Sequence, residues 1–411
     1  MPDHHFDTLE IRDPQERMAE QLAQLPRQIA HAKAHAPAFA QLLAEVDSEA
    51  VTSLEALAQL PVTRKSTLLE LQKGAPPFGG LAHATAPFKR IFASPGPIYE
   101  PEGSVPDYWR FARSLYAAGF RAGDLVHNAY SYHFTPAGSM LETGAHALGC
   151  TVFPAGTGQT DQQVQAMVDL QPVGYVGTPS FLKIILDRAD ELGMGVASIR
   201  KAQVSGEAFL PAIRDALSQR GIAGYQVYAT ADLGSIAYET VAREGLVVDE
   251  GVIVEIVRPG TGDPVAPGEV GEVIVTALTN SDYPLIRFAT GDLSAVLPGR
   301  SPCGRTNLRI KGWMGRADQT AKVRGMFVHP AQVAEVVRRH ASIHRARLSI
   351  DNTDGADRMT LHVEADADRS IAPAIVESLR DVTKLRGEVA FHGAGELPND
   401  GKVIEDLRKY T

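Results

Sequence analysis

The spacing of hydrophobic residues distinguishes two stretches of the chain. One has the spacing of helices, and in the other, extended and helical segments alternate. Residues 12–47 carry apolar side chains at helical spacing, with Leu25 and Ile29 on one face and a break near Pro37, so they predict helices. Between residues 107 and 245, extended apolar segments alternate with helical ones. This rhythm is what a parallel sheet covered by helices requires. The middle of the chain therefore predicts an α/β sheet, and the N-terminal helices are expected to pack over the larger domain.

The predicted sheet has five strands and five helices in the middle stretch. The strands are DLVHNAY, TVFPA, VGYVGT, KAQVSG and YQVYAT, and the helices are Tyr108–Phe120, Leu141–Leu148, QQVQAMVDLQ, SFLKIILDRADEL and PAIRDALSQR. Functional residues of such sheets lie in loops after the carboxyl ends of the strands. We therefore expect binding residues in the loops that follow these five strands.

The pattern changes after residue 245, where β-rich runs are separated by the turn-forming stretch PGTGDPVAPGE. The runs GLVVDEGVIVEIV, GEVGEVIVTAL and DLSAVL predict hairpins of a second, antiparallel sheet. GWMGRADQTAKVRG then indicates a linker, and the remaining residues alternate helices with strands as a small α+β module. The chain therefore predicts a large domain at residues 1–316 and a small one at residues 317–411.

Composition and charge narrow the possible partners. Of the 411 residues, 44% are hydrophobic and 22% charged, and the net charge is -9 with no basic tail, so neither nucleic acid nor a membrane is an expected partner. Cys150 and Cys303 lack metal-binding spacing and are expected to be free thiols. The acidic N-terminus and the lack of an apolar run of ~20 residues argue against a signal peptide or membrane span. These features predict a cytoplasmic protein.

The most informative short stretch is YPLIRFATGDLS, residues Tyr283–Ser294. The apolar pair Leu285 and Ile286 is expected to anchor a turn that aims Asp292 outward. A single aimed carboxylate can accept two hydrogen bonds from a ribose diol. Taken alone, the stretch favours an Asp-containing turn that has no ligand.

Further motifs follow in order along the chain. CGRTNLRIKGWMGRADQTAKVRGMFVHPAQVAEVV comes next, and the chain closes with GELPNDGKVIEDLRKYT. Together with Thr178-Pro179-Ser180 and the GVIVEIV region, this ordered set resembles the adenylate-forming acyl-CoA synthetases, and specifically the phenylacetate-CoA ligase branch. The resemblance runs from about residue 5 to the end.

The resemblance implies both an architecture and a reaction. It implies a large adenylation (AMP-binding) domain at residues 1–316, built of helix-covered, mostly parallel sheets and a β-rich subdomain, and a small mobile α+β domain at residues 317–411. In such enzymes a carboxylate, here favoured to be aromatic, attacks the α-phosphorus of ATP, and the thiol of CoA then displaces AMP. The resemblance further implies Mg²⁺ and a homodimer.

Four residues in the C-terminal third match residues with known roles in that family. By the resemblance, Asp292 and Arg316 bind the ribose, and Asp318 is the hinge about which the small domain turns between the half-reactions. Lys402, in LPNDGK, matches the catalytic lysine that bridges the carboxylate and the α-phosphate, where an ammonium neutralises developing charge.

Two segments of the predicted parallel sheet match the family's adenine site. Ser205, Gly206 and Glu207, in VSGEAF, match the segment whose backbone packs along the adenine. Tyr228 matches the aromatic residue whose ring stacks on the base.

The residues after Tyr228 depart from the family's Y-G-x-T-E motif. The sequence reads YATAD, so Ala229 and Thr230 fall within the nucleotide-binding motif, with Thr230 one residue early. Asp232 takes the place of the glutamate that helps to hold magnesium, and it is the predicted catalytic metal ligand. Aspartate still offers oxygen ligands to Mg²⁺. Because its side chain is shorter than that of glutamate, the ion must lie at a different position or be bound through a bridging water.

The largest departure lies in RIFASPGPIYEP, which aligns with the family's phosphate-binding loop R-I-x-x-S-S-G-T-T-G-K-P. Ser94 and Gly96 are kept and are predicted nucleotide-binding residues. Pro95 and Pro97 each remove a backbone N–H donor, and Glu100 puts an anion where the family has a lysine. The loop is expected to follow a short strand. Because of these changes, the sequence is compatible both with the use of ATP and with binding of an AMP-like ligand alone.

For the acyl group, the segment NAYSYHFTPAG is the predicted pocket. Tyr132, His133 and Phe134 could sandwich an aryl ring, and aromatic core packing after a strand is the equally weighted alternative.

Three functions remain open from the sequence. The first is an ATP-dependent ligase that joins a small carboxylic acid to CoA. The second is an adenylating enzyme that delivers its acyl group to an acyl carrier protein or an amine. The third is a non-catalytic protein that binds AMP, an acyl-adenylate or CoA.

Overall fold

The structure is a computed structural model, and it describes residues 5–258, 260–317, 319, 321–324, 326–328, 330–352, 357–365, 369–398 and 402–408. The chain divides into two compact units, Met1–Trp313 and Met314–Thr411. The division falls a few residues before the boundary that the sequence predicts.

The helices of the first unit are mostly short, and four of them begin with proline. They are α1 (Pro14–His35), α2 (Pro37–Leu42), α3 (Leu54–Ala58), α4 (Leu68–Gly74), α5 (Phe111–Ala117), α6 (Ala137–Ala147), α7 (Thr160–Leu170), α8 (Pro179–Glu191) and α9 (Pro211–Gln219). Proline opens α1, α2, α8 and α9, where its missing N–H costs no hydrogen bond. Short 3-10 segments lie at Thr8–Ile11, Ser48–Ala50 and Lys65–Thr67.

The strands of the first unit form two large sheets and one hairpin. They are β1 (Thr63–Arg64), β2 (Arg90–Ser94), β3 (Ile98–Glu102), β4 (Leu125–Asn128), β5 (Thr151–Phe153), β6 (Gly174–Gly177), β7 (Lys201–Val204), β8 (Ala223–Thr230), β9 (Gly234–Tyr238), β10 (Leu246–Val248), β11 (Val252–Val257), β12 (Gly271–Ala277), β13 (Phe288–Ser294), β14 (Val296–Leu297) and β15 (Arg309–Ile310).

The larger sheet has the strand order β14-β15-β10-β9-β8-β7-β6-β4-β5. The five strands predicted from the middle of the chain, β4 to β8, pair in parallel, and helices connect them. The strands from β8 to β14 pair antiparallel and extend the sheet on one side. Two β-rich segments predicted for the second sheet, at β10 and β14, belong here instead, because both pair with neighbours of this sheet.

The smaller sheet has the order β1-β13-β12-β11. β11, β12 and β13 are antiparallel, as the turn-rich sequence predicts. β1 joins the edge in parallel with β13, with Thr63 opposite Phe288 and Arg64 opposite Ala289. This pairing brings a segment near the N-terminus beside the strand that carries Asp292.

The stretch predicted as a strand turning into a loop is a β-hairpin. β2 and β3 pair antiparallel from Arg90 opposite Glu102 to Ser94 opposite Ile98. Only residues 95–97 form the turn, and all three are exposed. The prediction of a loop was wrong for residues 98–102, because they pair with β2 as a second strand in which Tyr99 is exposed and the other four residues are buried.

The N-terminal helices cover the smaller sheet. Leu25 and Ile29 of α1 and Phe39 of α2 are fully buried in one hydrophobic cluster with Val275 of β12 and Phe288 of β13. Each such side chain stabilises the fold by about 1.5–3 kcal/mol. This packing fixes the sheet whose β13 strand carries the ribose-site candidate.

The second unit is a small α+β module, as predicted. Its elements are β16 (Ala321–Val323), β17 (Met326–Val328), α10 (Pro330–Arg339), β18 (Ile343–Asp351), β19 (Arg358–Ala365), a 3-10 turn at Arg369–Ile371, α11 (Ala372–Thr383), β20 (Glu388–His392) and β21 (Ile404–Asp406). Four strands form a sheet in the order β20-β19-β18-β21, in which the unpredicted strand β21 lies parallel to β18. Apolar residues of α10 and α11 share one hydrophobic cluster with this sheet.

Within the described parts of both units, no helix has the length and the apolar character that a bilayer crossing would need.

Candidate active site

Three of the predicted site segments leave the larger sheet of the first unit at the same edge. Because β4, β6, β7 and β8 are parallel, their carboxyl ends meet at the same edge. The segments that leave this edge begin at Ala129, Thr178, Ser205 and Ala231. The topology thus brings together the acyl-pocket, adenine and metal segments that the sequence predicts.

Asp292 is buried on β13 and is held by two hydrogen-bond donors from different elements. The hydroxyl of Tyr228 donates to Oδ2 at 3.0 Å, and Nε1 of Trp313 donates to Oδ1 at 3.1 Å. Its own backbone N–H is bonded to Thr290 Oγ1 at 3.1 Å. The predicted outward-facing turn is therefore wrong, because Asp292 lies inside a strand with only 8% of its surface exposed. Each carboxylate oxygen of Asp292 thus accepts a hydrogen bond from a side chain, and a ribose hydroxyl could donate in place of either one.

Lys65 and Asp232 form an ion pair in the same region. Lys65 follows β1, whose parallel pairing with β13 directs the chain toward Asp292. Burial alone would lower the pKa of Lys65, but the negative charges of Asp232, Glu100 and Asp292 raise it above its ordinary value. The lysine is therefore a fixed cation surrounded by three carboxyl groups.

The carboxylate of Asp232 has one oxygen available. Its side chain is fully buried, and Oδ2 is the atom paired with Lys65. Among the described residues, neither Oδ1 of Asp232 nor the buried hydroxyl of Tyr283 has a hydrogen-bond partner. Burial, followed by the charges of Asp232 and Glu100, raises the pKa of Tyr283 well above its ordinary value. An unpaired, fully buried carboxylate oxygen is unusual and indicates a place for a cation or a donor.

Glu100 is turned inward, away from solvent. It is 0% exposed, and its carboxylate accepts hydrogen bonds from the backbone N–H of Ser94 at 3.2 Å and from the hydroxyl of Ser94. Burial and then the charge of Asp232 raise the pKa of Glu100 to about 8, against the opposing effects of Lys65 and the two Ser94 bonds. Burial therefore disfavours the charged form of Glu100, which reduces the repulsion expected between this carboxyl group and a phosphate.

The predicted phosphate-binding residues Ser94 and Gly96 lie in different surroundings. Ser94 is 8% exposed, and both of its donors are bonded to Glu100. Gly96 is exposed in the turn, and it carries the sole backbone N–H of residues 95–97, since its neighbours are prolines.

The predicted adenine segment follows β7. Gly206 has a φ of 84°, a backbone conformation that favours glycine, and it directs the chain past the sheet edge. Glu207 accepts a hydrogen bond at 2.7 Å from the backbone N–H of Ser180 in the first turn of α8. Ser205 is half-buried, and its N–H donates to Gly177 O at 3.4 Å. These contacts join the ends of β6 and β7 at the predicted base site.

The end of β8 carries Tyr228, Ala229 and Thr230, all partly exposed. The hydroxyl of Thr230 accepts a hydrogen bond from the N–H of Leu233 at 3.2 Å and thereby closes the turn before β9. The hydroxyl of Thr230 is thus used in a local hydrogen bond. The ring of Tyr228 is half-buried at the sheet edge, and its hydroxyl donates to Asp292.

The predicted acyl-pocket residues do not enclose a buried slot. The hydroxyl of Tyr132 donates to Glu142 at 2.7 Å and accepts from Asn128 at 2.8 Å. His133 is exposed, and Phe134 is 80% exposed. The role of these three aromatic residues in acyl binding stays a prediction.

In the second unit, Lys402 is exposed and lies 3.9 Å from Glu405, measured from Nζ to Oε1. Glu405 also pairs with the buried Arg347 at 2.9 Å. Arg316 is half-buried, and Asp318 lies outside the described residues.

Sequence reasoning missed Lys65 and Trp313 as members of the site. Trp313 stands in the quoted motif GWMGRAD, so its nearness to Asp292 could have been suspected. Lys65 stands in PVTRKS, far from every motif, and is brought to the site by the pairing of β1 with β13.

Comparison with known proteins decides the family. No protein-family model matches the chain. A phenylacetate-coenzyme A ligase of Thermus thermophilus is 30% identical over 89% of this chain and 90% of its own length. The corresponding ligase of Escherichia coli is 32% identical over 89% of this chain and 88% of its own. The chain belongs to the phenylacetate-CoA ligase family. The family prediction is confirmed, and with it the prediction of an enzyme like the AMP-forming acid–thiol ligases.

Solved structures agree on the fold of this family member. A 2-hydroxyisobutyryl-CoA ligase in complex with 2-HIB-AMP and CoA has a TM-score of 0.77 at 23% identity, over 98% of this chain and 92% of its own. An open conformation of that ligase has a TM-score of 0.74, also at 23% identity. The predicted fold class of an adenylate-forming enzyme is confirmed.

Proposed function

We propose that the protein converts a small carboxylic acid, favoured to be aromatic, into its CoA thioester. In the first step a carboxylate oxygen attacks the α-phosphorus of ATP and pyrophosphate leaves. In the second step the sulfur of CoA attacks the acyl carbon and AMP leaves with the electron pair of the broken C–O bond. The observation that carries the proposal is a set of contacts: Lys65 pairs with the buried Asp232 and follows β1, β1 pairs with the strand that carries Asp292, and Asp292 accepts a hydrogen bond from Tyr228.

In this proposal the first unit is the adenylation domain. Asp292 binds the ribose diol, with Tyr228 and Trp313 holding the carboxylate before the ligand arrives. The ring of Tyr228 stacks on the adenine, and the backbone at Ser205 and Gly206 lies along the base. The ammonium of Lys65 neutralises the α-phosphate as charge develops on it, which a fixed cation does without reorganising.

Mg²⁺ fits this arrangement through Asp232. Mg²⁺ is commonly held by one or two carboxylates together with phosphates and waters, and the unpaired, buried Oδ1 of Asp232 offers one such ligand. When bound, the ion would supply positive charge to the phosphate chain. The described residues contain no group of three or more His, Cys, Asp or Glu side chains able to form a metal site by themselves.

We assign the second unit the role of the mobile domain. Lys402 bridges the acid and the α-phosphate in the adenylation step, Arg316 reaches the ribose, and Asp318 is the hinge. The acceptor is CoA rather than a carrier protein, because the curated relatives are named CoA ligases. The homodimer and the cytoplasmic location remain predictions, and light scattering of the purified chain tests the former.

The proposal is tested by separating the two half-reactions. Acid-dependent exchange of labelled pyrophosphate into ATP reports adenylation, and AMP-dependent loss of acyl-CoA reports the second step in reverse. With a panel of acids that includes phenylacetate, we expect both reactions with at least one aromatic acid. Lys402→Ala should slow the exchange by about 10²–10³-fold, the usual loss when one electrostatic contact to the transition state is removed, and should leave the second reaction unchanged.

Lys384→Ala is the matched control, since Lys384 is an exposed lysine of the same unit paired with Asp381. It should behave like the unchanged protein in both reactions. Binding of AMP without either reaction for any acid would refute the proposed enzyme and favour the non-catalytic alternative.

A further inference from the structure

The β2–β3 hairpin aligns in sequence with the phosphate-binding loop of the family, yet the donors of its Ser94 are bonded to Glu100 of the same hairpin. A loop of this kind binds phosphate through successive backbone N–H groups and hydroxyls. Here the N–H and the hydroxyl of Ser94 both bond to the carboxylate of Glu100. With prolines at positions 95 and 97, Gly96 alone contributes a backbone N–H to the turn.

Glu100 makes the same kind of contacts that a phosphate oxygen would make. Its carboxyl group accepts from a backbone N–H and a serine hydroxyl. Glu100 is fully buried, so it does not share these donors with solvent. A nucleotide phosphate that used Ser94 would have to displace an internal acid from it.

The hairpin is anchored in a way that keeps Glu100 in place. The side-chain amide of Gln72 on α4 bonds to both the N–H and the C=O of Tyr99, each at 2.8 Å, next to Glu100 on β3. On the other strand, the N–H of Ala93 donates to Phe134 O at 2.7 Å. These contacts and the β2–β3 ladder fix the backbone that carries Ser94 and Glu100.

We infer that Glu100 is a specificity-determining residue that occupies the donors of Ser94 and thereby makes the site favour an adenosine monophosphate group over a triphosphate. This inference rests on the proposed function, because it concerns the same nucleotide. Asp292 and Lys65, which the proposed function assigns to the ribose and the α-phosphate, are bonded to Tyr228, Trp313 and Asp232 rather than to Ser94, so the Glu100–Ser94 contact does not occupy them. The N–H and the hydroxyl of Ser94, which could otherwise bind the β- and γ-phosphates of ATP, are already bonded to Glu100. The protein is therefore better suited to the thioester-forming step, and to its reverse from acyl-CoA and AMP, than to the capture of ATP.

Calorimetric titration of the full chain with ATP and with AMP, at one fixed Mg²⁺ concentration, tests the inference. The unchanged protein should bind AMP at least as tightly as ATP. Glu100→Ala frees the N–H and the hydroxyl of Ser94 and should tighten ATP binding by about tenfold to hundredfold, the gain expected for a hydrogen bond to a charged group. AMP binding should stay unchanged, since neither donor faces the α-phosphate in this scheme.

Glu102→Gln is the matched control. Glu102 lies two residues further on the same strand, is 1% exposed, and bonds to Ser139 and Arg90 instead of Ser94. It should leave the ratio of ATP to AMP affinity unchanged. An equal ratio in the unchanged protein and in Glu100→Ala would overturn the inference while leaving the proposed function intact.

Ser94→Ala supplies a second, independent measurement if Glu100→Ala does not fold. Because its hydroxyl is engaged by Glu100, its removal should not weaken ATP binding. A tenfold or larger loss, about what a missing charged hydrogen bond costs, would mean that Ser94 binds phosphate and that the inference is wrong. Failure of the folded protein to bind either nucleotide would overturn the inference and the proposed function together.

Discussion

The two ends of the candidate nucleotide site are built in opposite ways. At the proposed ribose end, Asp292 accepts hydrogen bonds from Tyr228 and Trp313, which ribose hydroxyls would replace in the proposed function. At the phosphate end, Ser94 is satisfied by Glu100 from the same hairpin, and exchange would leave a buried acid without its partners. Hydrogen bonds that hold a binding group in place and can be exchanged for bonds to the ligand favour binding. A hydrogen bond between two buried protein groups opposes binding, because the ligand must break it. Similar hydrogen bonds can thus favour or oppose binding, depending on what the ligand displaces.

Removal of Lys65 should have the largest effect, because this cation lies between the two ends. Lys65→Met leaves the buried Asp232 without its partner and should lower the free energy of unfolding by about 3 kcal/mol, near the low end for a broken buried ion pair, since 24% of the lysine side chain is exposed. It should also slow adenylation by about 10²–10³-fold. Denaturant unfolding and pyrophosphate exchange measure the two effects.

A second substitution separates these effects. Adding Asp232→Asn to Lys65→Met should restore most of the stability, because no unpaired charge is left, without restoring activity. Lys73→Met, at an exposed lysine paired with Glu70, should change neither quantity. If stability is not restored in the double variant, the Lys65–Asp232 pair is not the source of the loss.

Asp292→Asn tests the ribose end and should have an intermediate effect. We expect AMP and ATP binding to weaken equally, by about tenfold to hundredfold, because the lost charged hydrogen bonds concern the ribose that both share. Tyr228→Phe keeps the ring and removes only the hydroxyl, so it should weaken both nucleotides less. Calorimetry checks this, and a selective loss of ATP binding would contradict the division of the site into two ends.

The pH dependence of stability should show the smallest effect, at the phosphate end. The pKa of Glu100 is about 8 in the folded protein, above its ordinary value of 4.5. Between these pH values the folded state therefore holds more protons than the unfolded state, so this group makes stability fall as the pH rises. Glu100→Gln should remove that component, which urea unfolding at several pH values in the interval would reveal. Parallel pH profiles for both proteins would show that Glu100 is not buried as described.

Tyr228 and Asp292 could be singled out from the sequence because they stand in local motifs, and their binding of adenine and ribose stays a prediction. Tyr228 and Asp292 lie on strands that hydrophobic alternation already indicates, and the parallel order of β4 to β8 places their loops at one edge. The prediction of an outward-facing turn at Asp292 was wrong. The alternation of hydrophobic and polar residues in a strand does not show which neighbouring residues cover a polar side chain.

The phosphate end could be predicted only in part. The sequence shows that Pro95 and Pro97 remove donors, but not that Glu100 points inward, because a buried acid contradicts the usual preference for exposed charge. Lys65 could not have been found from any local pattern. Its place depends on the pairing of β1 with β13, more than two hundred residues away along the chain.

That pairing also has a consequence for folding. Lys65 is synthesised well before Asp232 and before β13, so the ion pair and the β1–β13 ladder require long loops to close. Contacts of large sequence separation slow folding because the entropy of loop closure is lost before they form. We therefore expect the ability to bind nucleotide to arise late in refolding, after the helices of the parallel sheet have formed, and to be missing from nascent chains that end before β13.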